Sequence, residues 1–246
     1  NTADLRRSLD EFGDLFAERP IKMNKGGMQS PHMFACFFLT KWLQPTCIIE
    51  SGIWKGQSTW LFEAAAPQAD VYCLDPRDNK ILLEYESKRA KYITGESFVD
   101  FSDRQWDDVD KETSLLFFDD HIGTDRIKQA KAKGFRHVIF EDNYSGRGGM
   151  NCHPDYYKTG EDRHYSPKAC LAKNGPDKQF LEDNLEIYYA FPPIAANTGP
   201  EQRCLWEKIS GFTKEPLLDD AECVGSRSIF KEDAFSYTWI AYLRLK

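Results

Sequence analysis

The chain has 246 residues, 41% of them hydrophobic, with 32 Lys and Arg against 39 Asp and Glu for a formal net charge of −7. This composition excludes a disordered chain, and an acidic balance without a basic block argues against a nucleic-acid partner. The longest mostly apolar run, residues 33–43, is too short to span a bilayer, so no membrane partner is expected. The length favours one large α/β domain.

Short apolar runs alternate with helical patterns through the middle of the chain, which indicates βαβ units. Because these runs are continuously apolar, we expect parallel strands that helices bury on both faces. The predicted strands cover residues 47–50, 71–75, 91–94, 114–119 and 137–141, and the predicted helices cover residues 58–66, 81–88 and 126–133.

The pattern changes after residue 142. Residues 143–175 are rich in Gly, Asn and Tyr, which favours a lid or substrate-selecting loop. Beyond them, residues 179–189 suggest a helix and residues 236–245 a C-terminal strand, with residues 228–231 as its antiparallel partner. The predicted fold is therefore a Rossmann-like, doubly wound α/β sheet of about seven strands, mostly parallel with an antiparallel C-terminal strand.

We interpret the chain as a single domain, 1–246, with four consecutive parts. These are an N-terminal helical extension (1–44), a cofactor-binding core (45–142), the lid or substrate loop (143–175) and a C-terminal helix with strands (176–246).

Polar residues follow all five predicted strands of the core. One acid at a strand end is more often a helix cap or a turn former than a ligand, whereas five in succession at one sheet edge indicate a binding site. The segments are Glu50-Ser51-Gly52, Asp75, Gly95-Glu96-Ser97, Asp119-Asp120-His121 and Glu141-Asp142-Asn143.

The turn after the first strand contains Gly52 and Gly56, and glycine permits close backbone approach to a ligand. Their GxxxG spacing fits the nicotinamide-cofactor fingerprint poorly and lacks the GK[ST] of a phosphate-cradling loop. Asp75 closes the second strand, where it can accept both hydroxyls of a ribose. Together these features predict an adenosyl ligand without a pyrophosphate.

Residues 48–59, 71–75 and 95–97 resemble, in order and spacing, the first three cofactor motifs of the class I S-adenosylmethionine-dependent methyltransferases. The resemblance covers residues 45–145 and implies S-adenosylmethionine as cofactor. It implies that Glu50, Ser51, Gly52 and Gly56 flank the methionine moiety, that Asp75 contacts the ribose, and that Glu96 and Ser97 lie at the adenine edge. Ser58 is a further candidate cofactor contact.

Residues 117–121 and 139–144 resemble the metal-binding segments of the sugar O-methyltransferases of the macrocin and rhamnosyl type and of the related cephalosporin-hydroxylase-like group. This resemblance implies Mg²⁺ held by Asp119 or Asp120 together with Glu141 and Asp142. Crowded carboxylates repel one another unless a cation neutralises them, and Mg²⁺ prefers oxygen ligands. Such an ion also acidifies a bound hydroxyl.

The predicted reaction is methyl transfer to a hydroxyl of a sugar or glycan, with His121 or the carboxylate of Asp120 as general base. Two alternatives stay open: a catalytically inactive, methyltransferase-like scaffold subunit, and a catechol or other small-molecule O-methyltransferase. A homo-oligomer also stays open. The cytoplasm is the favoured compartment, with the secretory lumen as the other option.

For several residues, a purely structural interpretation competes with a functional one. Cysteines 36, 47 and 73 fit a core, whereas disulfides or a metal site stay open for Cys152, Cys170, Cys204 and Cys223. The glycosylation pattern at residues 143–145 is interpreted as a coincidence, because a glycan there would block the predicted cleft. The aromatic residues that either line a carbohydrate surface or pack internally are Tyr156, Tyr157, Tyr165 and Trp206.

Overall fold

The computed structural model describes residues 2–77, 83–143, 166–172, 177–195, 215–232 and 239–246. Within these residues a seven-stranded mixed sheet has the order β3-β2-β1-β4-β5-β7-β6. Its strands are β1 (Cys47–Ser51), β2 (Asp70–Asp75), β3 (Lys91–Thr94), β4 (Ser114–Phe118), β5 (His137–Phe140), β6 (Leu185–Ala190) and β7 (Ala241–Leu245).

Strands β1 to β5 are parallel, and β7 runs antiparallel between β5 and β6. The chain adds β2 and β3 on one side of β1, then crosses over to add β4 and β5 on the other side. The strand order therefore reverses between β1 and β4, where open α/β sheets bind their ligands. This arrangement confirms the predicted Rossmann-like fold with an antiparallel C-terminal strand.

Helices cover both faces of the sheet. Because successive strand residues point to opposite faces, neighbouring residues of one strand belong to different cores. Ile48 belongs to a core beneath the first three helices, whereas its neighbour Ile49 belongs to a second core beneath α4 and α6. The helices are α1 (Thr2–Ala17), α2 (Ser30–Leu43), α3 (Gln57–Ala65), α4 (Asp125–Ala132), α5 (Pro167–Ala172), α6 (Lys178–Asn184) and α7 (Ile229–Glu232).

The helix predicted over residues 81–88 is wrong over its described part, 83–88, which has no helical turn. Its backbone donors are used elsewhere: the amides of Glu84 and Tyr85 both donate to the carbonyl oxygen of Lys55, each at 3.1 Å. The amide of Ser87 donates to the Tyr92 hydroxyl at 2.9 Å. Long-range partners therefore take the groups that a helix would pair internally.

The helix predicted over residues 179–189 ends early, because α6 stops at Asn184 and β6 begins at Leu185. The run Ile187-Tyr188-Tyr189 is rich in residues that favour strands, and it pairs with β7. Residues 228–231 were predicted as the antiparallel partner of the last strand, and this is wrong: they form a 3₁₀ turn and α7. The partners of β7 are β5 and β6.

Of the predicted lid, residues 143–175, the structure describes residue 143 and residues 166–172, which include α5. The Asn143 side chain is buried, donating to the Tyr188 hydroxyl at 3.0 Å and accepting from the backbone amide of Lys168 at 3.0 Å.

Cys170 and Cys223 are free thiols. None of the helices in the described ranges has the length and hydropathy to cross a membrane. The residues singled out in the sequence that lie outside these ranges are Cys152, Cys204, Tyr156, Tyr157, Tyr165 and Trp206.

Candidate functional site

The loops that follow β1 and β4 touch each other at the switch point of the sheet. Gly52 has a φ of +92°, and a Cβ atom there would overlap the carbonyl oxygen of Asp119. The Asp119 amide donates to the carbonyl oxygen of Ser51 at 2.9 Å, which holds the two loops together. Glycine is therefore required at residue 52 by the protein's own backbone.

The second glycine of the same turn, Gly56, has a similar role. Its φ is +92°, and a Cβ atom there would overlap the carbonyl oxygen of Tyr85. Trp54, between the two glycines, has a left-handed φ of 52°, which is uncommon for a residue with a side chain. Backbone strain of this kind is concentrated at functional sites, and here it lies beside the predicted cofactor cleft.

Glu50 and Ser58, two of the predicted cofactor contacts, are hydrogen-bonded to each other. The Ser58 hydroxyl donates to Oε1 of Glu50, while the Thr59 hydroxyl at 2.6 Å and the Cys73 thiol at 3.4 Å donate to Oε2. The Glu50 side chain is completely buried, and burial raises the pKa of its carboxyl to about 7. Its carboxyl group thus ties β1 to the first turn of α3.

Asp75, the predicted ribose contact, lies at the end of β2 and is 1% exposed. Arg77 binds it through two side-chain nitrogens, Nε at 2.8 Å and Nη2 at 2.6 Å. The backbone amides of Arg77 at 2.9 Å and Ile53 at 3.2 Å also donate to it. Although burial opposes the shift, these hydrogen bonds hold the pKa of Asp75 below its ordinary value.

Glu96 and Ser97 are exposed on a 3₁₀ turn directly after β3. The Ser97 hydroxyl donates to the Thr94 carbonyl oxygen at 2.8 Å and accepts the Thr94 amide at 3.2 Å, so the side chain caps its own turn. The amide of Gly95 donates to the Arg77 carbonyl oxygen at 3.2 Å. This bond brings the loops after β2 and β3 together.

Asp119, His121 and Asp142 form a group at the ends of β4 and β5. The group offers one imidazole nitrogen and two carboxylate oxygens, all within 4.8 Å of one another. Nδ1 of His121 is hydrogen-bonded to Oδ2 of Asp142, which raises the pKa of the imidazole to about 9. Burial and repulsion from Asp142 raise the pKa of Asp119 well above its ordinary value. A divalent cation between the carboxylates would relieve this repulsion.

Asp120 is not part of this group, although it was predicted both as a metal ligand and as a base. Its Oδ2 accepts the Ser51 hydroxyl and Nε of Arg126, the latter at 2.7 Å. Arg126 is 2% exposed and also binds both carboxylate oxygens of Asp100, each at 2.7 Å. Asp120 and Ser51 therefore belong to a partly buried network around Arg126 that joins the ends of β1 and β4.

Glu141, the remaining predicted ligand, is not a member of the three-residue group. Its Oε1 is 3.5 Å from Nδ1 of His32, a residue of α2 that is 4% exposed and lies beside the Trp239 ring. His32, Arg77 and Arg126 are missing from the sequence-based set of site residues. Only Arg77 carried a usable signal, a basic residue two positions after the acid that ends a strand.

No protein-family model and no curated protein sequence matches this chain. Solved structures similar to it include an O-methyltransferase from Bacillus cereus in complex with S-adenosylhomocysteine, with 12% identity, 97% of this chain and 90% of that chain covered, and a TM-score of 0.47. The O-methyltransferase TomG from Streptomyces achromogenes, involved in tomaymycin synthesis and bound to S-adenosylmethionine, has 12% identity, coverage of 97% and 88%, and a TM-score of 0.47.

A third similar structure is the methyltransferase PaMTH1 from Podospora anserina, bound to S-adenosylhomocysteine. It is 16% identical, with 55% of this chain and 62% of that chain covered and a TM-score of 0.40. The fold assignment for this protein rests on its own sheet order.

Proposed function

We propose that this protein is an S-adenosylmethionine-dependent O-methyltransferase that uses a divalent cation and methylates a hydroxyl group of a sugar or glycan. The observation that carries the proposal is that two sets of polar residues lie at the same edge of the sheet. Asp75, an acid suited to a ribose diol, is the last residue of β2, and the group Asp119, His121 and Asp142 follows β4 and β5. The switch point between β1 and β4 lies between them.

S-adenosylmethionine would supply an electrophilic methyl group on its sulfonium sulfur. Asp75 would accept hydrogen bonds from the ribose hydroxyls, with the exposed Glu96 and Ser97 near the adenine. The turn of Gly52 and Gly56 would present backbone to the methionine part of the cofactor. Methyl transfer then depends mainly on holding the acceptor oxygen in line with the sulfonium methyl.

The residues suited to hold a divalent cation are Asp119 and Asp142. The donor set fits, because carboxylate oxygens suit Mg²⁺ and Mn²⁺, and an adjacent imidazole suits Mn²⁺ better than Mg²⁺. When bound, the ion would neutralise the two carboxylates and acidify an acceptor hydroxyl. His121 is the candidate base: a cation on the two carboxylates would offset the stabilisation by Asp142 that raises the pKa of the imidazole to about 9, and the neutral ring could then accept the proton of the acceptor hydroxyl.

One observation favours a non-catalytic scaffold as the second candidate. Arg77 already binds both oxygens of the Asp75 carboxylate, so the site for the ribose is filled by the protein itself. A scaffold subunit would bind no S-adenosylhomocysteine, whereas a methyltransferase would.

The test is transfer of a labelled methyl group from S-adenosylmethionine to a panel of glycosides and catechols, with Mg²⁺, with Mn²⁺ and with chelator. We expect transfer to glycosides, lost on chelation and lowered at least about a hundredfold by Asp142→Asn. The control is Asp107→Asn, since that side chain is 87% exposed and belongs to none of the groups of site residues. Transfer to catechols alone would contradict a sugar or glycan acceptor and favour a catechol. Transfer that does not depend on a cation would contradict the metal assignment.

A further inference from the structure

The carboxylate of Asp75 has its full complement of hydrogen bonds in this structure. Oδ1 accepts the backbone amide and Nε of Arg77 at 2.9 and 2.8 Å, and Oδ2 accepts the Ile53 amide and Nη2 of Arg77 at 3.2 and 2.6 Å. A carboxylate has about four lone-pair sites. Each of them is matched by one donor.

The four donors differ in how easily they can be replaced. The amides of Ile53 and Arg77 belong to the backbone of the turns after β1 and β2, so their positions are fixed by the fold. The other two belong to the Arg77 side chain, which is 45% exposed. A ribose diol also donates two hydrogen bonds, so it needs the two positions that the guanidinium occupies.

We propose that Arg77 is a specificity-determining residue of the adenosyl site: it competes with the ligand for Asp75 and is displaced only by a ligand with a vicinal diol. The inference rests on the proposed function, because it takes the ligand to be an adenosyl compound. A ligand without the diol leaves the carboxylate to Arg77 and gains nothing from Asp75.

The Arg77 side chain also lies beside an aromatic ring while it is bound to Asp75. The Arg77 guanidinium carbon lies 5.3 Å from the centroid of the Trp54 ring, within the range of a cation–π contact. Because the Arg77 side chain is 45% exposed, a guanidinium that leaves Asp75 can be solvated. Release therefore does not bury an unpaired charge on the arginine.

Calorimetric titration with S-adenosylhomocysteine, and with its analogue lacking both ribose hydroxyls, tests the inference. Arg77→Met removes the competing donors and keeps an apolar side chain against Trp54. We expect it to bind S-adenosylhomocysteine about tenfold more tightly than the unmodified protein, with the affinity for the dideoxy analogue unchanged. Arg77→Lys keeps the charge but lacks the two-pronged geometry, so its gain should be smaller.

The matched control is Arg89→Met, on the same β2–β3 connection, because Arg89 donates its side-chain hydrogen bonds to the backbone carbonyls of Pro67 and Ala69. It should leave both affinities unchanged. Equal or weaker binding of S-adenosylhomocysteine by folded Arg77→Met overturns the inference and leaves the proposed function standing. If Arg77→Met does not fold, absence of any gain in Arg77→Lys overturns it. Absence of binding by every variant and by the unmodified protein overturns the proposed function itself.

Discussion

Glu50→Gln should change how the stability of this protein depends on pH. The Glu50 carboxyl is fully buried, and its pKa is raised from 4.5 to about 7, chiefly by burial. A raised pKa means that the fold prefers the neutral carboxyl. Stability from this preference is fully present below pH 4.5 and is lost as pH rises through about 7, at a total of roughly 3 kcal/mol.

Glutamine keeps the shape and stays neutral at every pH. Its carbonyl oxygen can accept the Thr59 hydroxyl, and its amide can donate to the Ser58 oxygen. Relative to the unmodified protein, Glu50→Gln should therefore gain stability progressively between pH 5 and pH 8. The total gain is about 3 kcal/mol, equivalent to a rise of about 6 to 12 °C in melting temperature for a chain of this size.

Urea denaturation at pH 5, 6, 7 and 8 measures this gain. Glu112→Gln is the control, since the Glu112 side chain is 67% exposed and its charge should matter little. Parallel curves of unfolding free energy against pH for Glu50→Gln and the unmodified protein would refute the reasoning, because they would mean that ionised Glu50 carries no burial cost.

Three further predictions follow from the site geometry. Gly56→Ala should lower the free energy of unfolding by about 3 kcal/mol in urea denaturation, because its Cβ atom overlaps the Tyr85 carbonyl oxygen at a positive φ; an unchanged value would mean that the turn relaxes. Arg126→Met should cost about 3 to 5 kcal/mol, since Asp100 and Asp120 lose their shared partner, and adding Asp120→Asn should recover part of it. Asp142→Asn should weaken Mn²⁺ binding at least about tenfold in calorimetry while S-adenosylhomocysteine affinity stays within a few-fold, and an equal loss of both would contradict its assigned role.

The sheet could be predicted largely from the sequence because its strands are continuous apolar runs between turn residues. Lys91–Thr94 was predicted with the observed bounds, and β1, β2, β4 and β5 within a residue at each end. The helix expected over residues 81–88 is absent from its described part, 83–88, because amide donors of that segment bind Lys55 and Tyr92, contacts that only the folded chain creates. Local periodicity contains no information about such partners.

In the candidate site, too, some features could be predicted from the sequence and others depend on contacts in the folded chain. Sequence order alone places acids at the carboxyl ends of parallel strands, so their shared edge could be predicted from topology. The sequence could not predict which of these acids form ion pairs with arginine side chains of the protein. Arg126 is hydrogen-bonded to Asp120, and Arg77 is hydrogen-bonded to Asp75. Both pairings depend on side-chain geometry that the spacing of the acids in the sequence does not encode.

Calorimetric titration of the full chain with S-adenosylhomocysteine, in the presence and absence of Mg²⁺ and Mn²⁺, tests the proposed cofactor site most directly because it requires no knowledge of the methyl acceptor. We expect saturable binding in the micromolar range, with cation binding that Asp142→Asn weakens at least about tenfold. Absence of binding under every condition would contradict the methyltransferase proposal and favour a scaffold role for this fold.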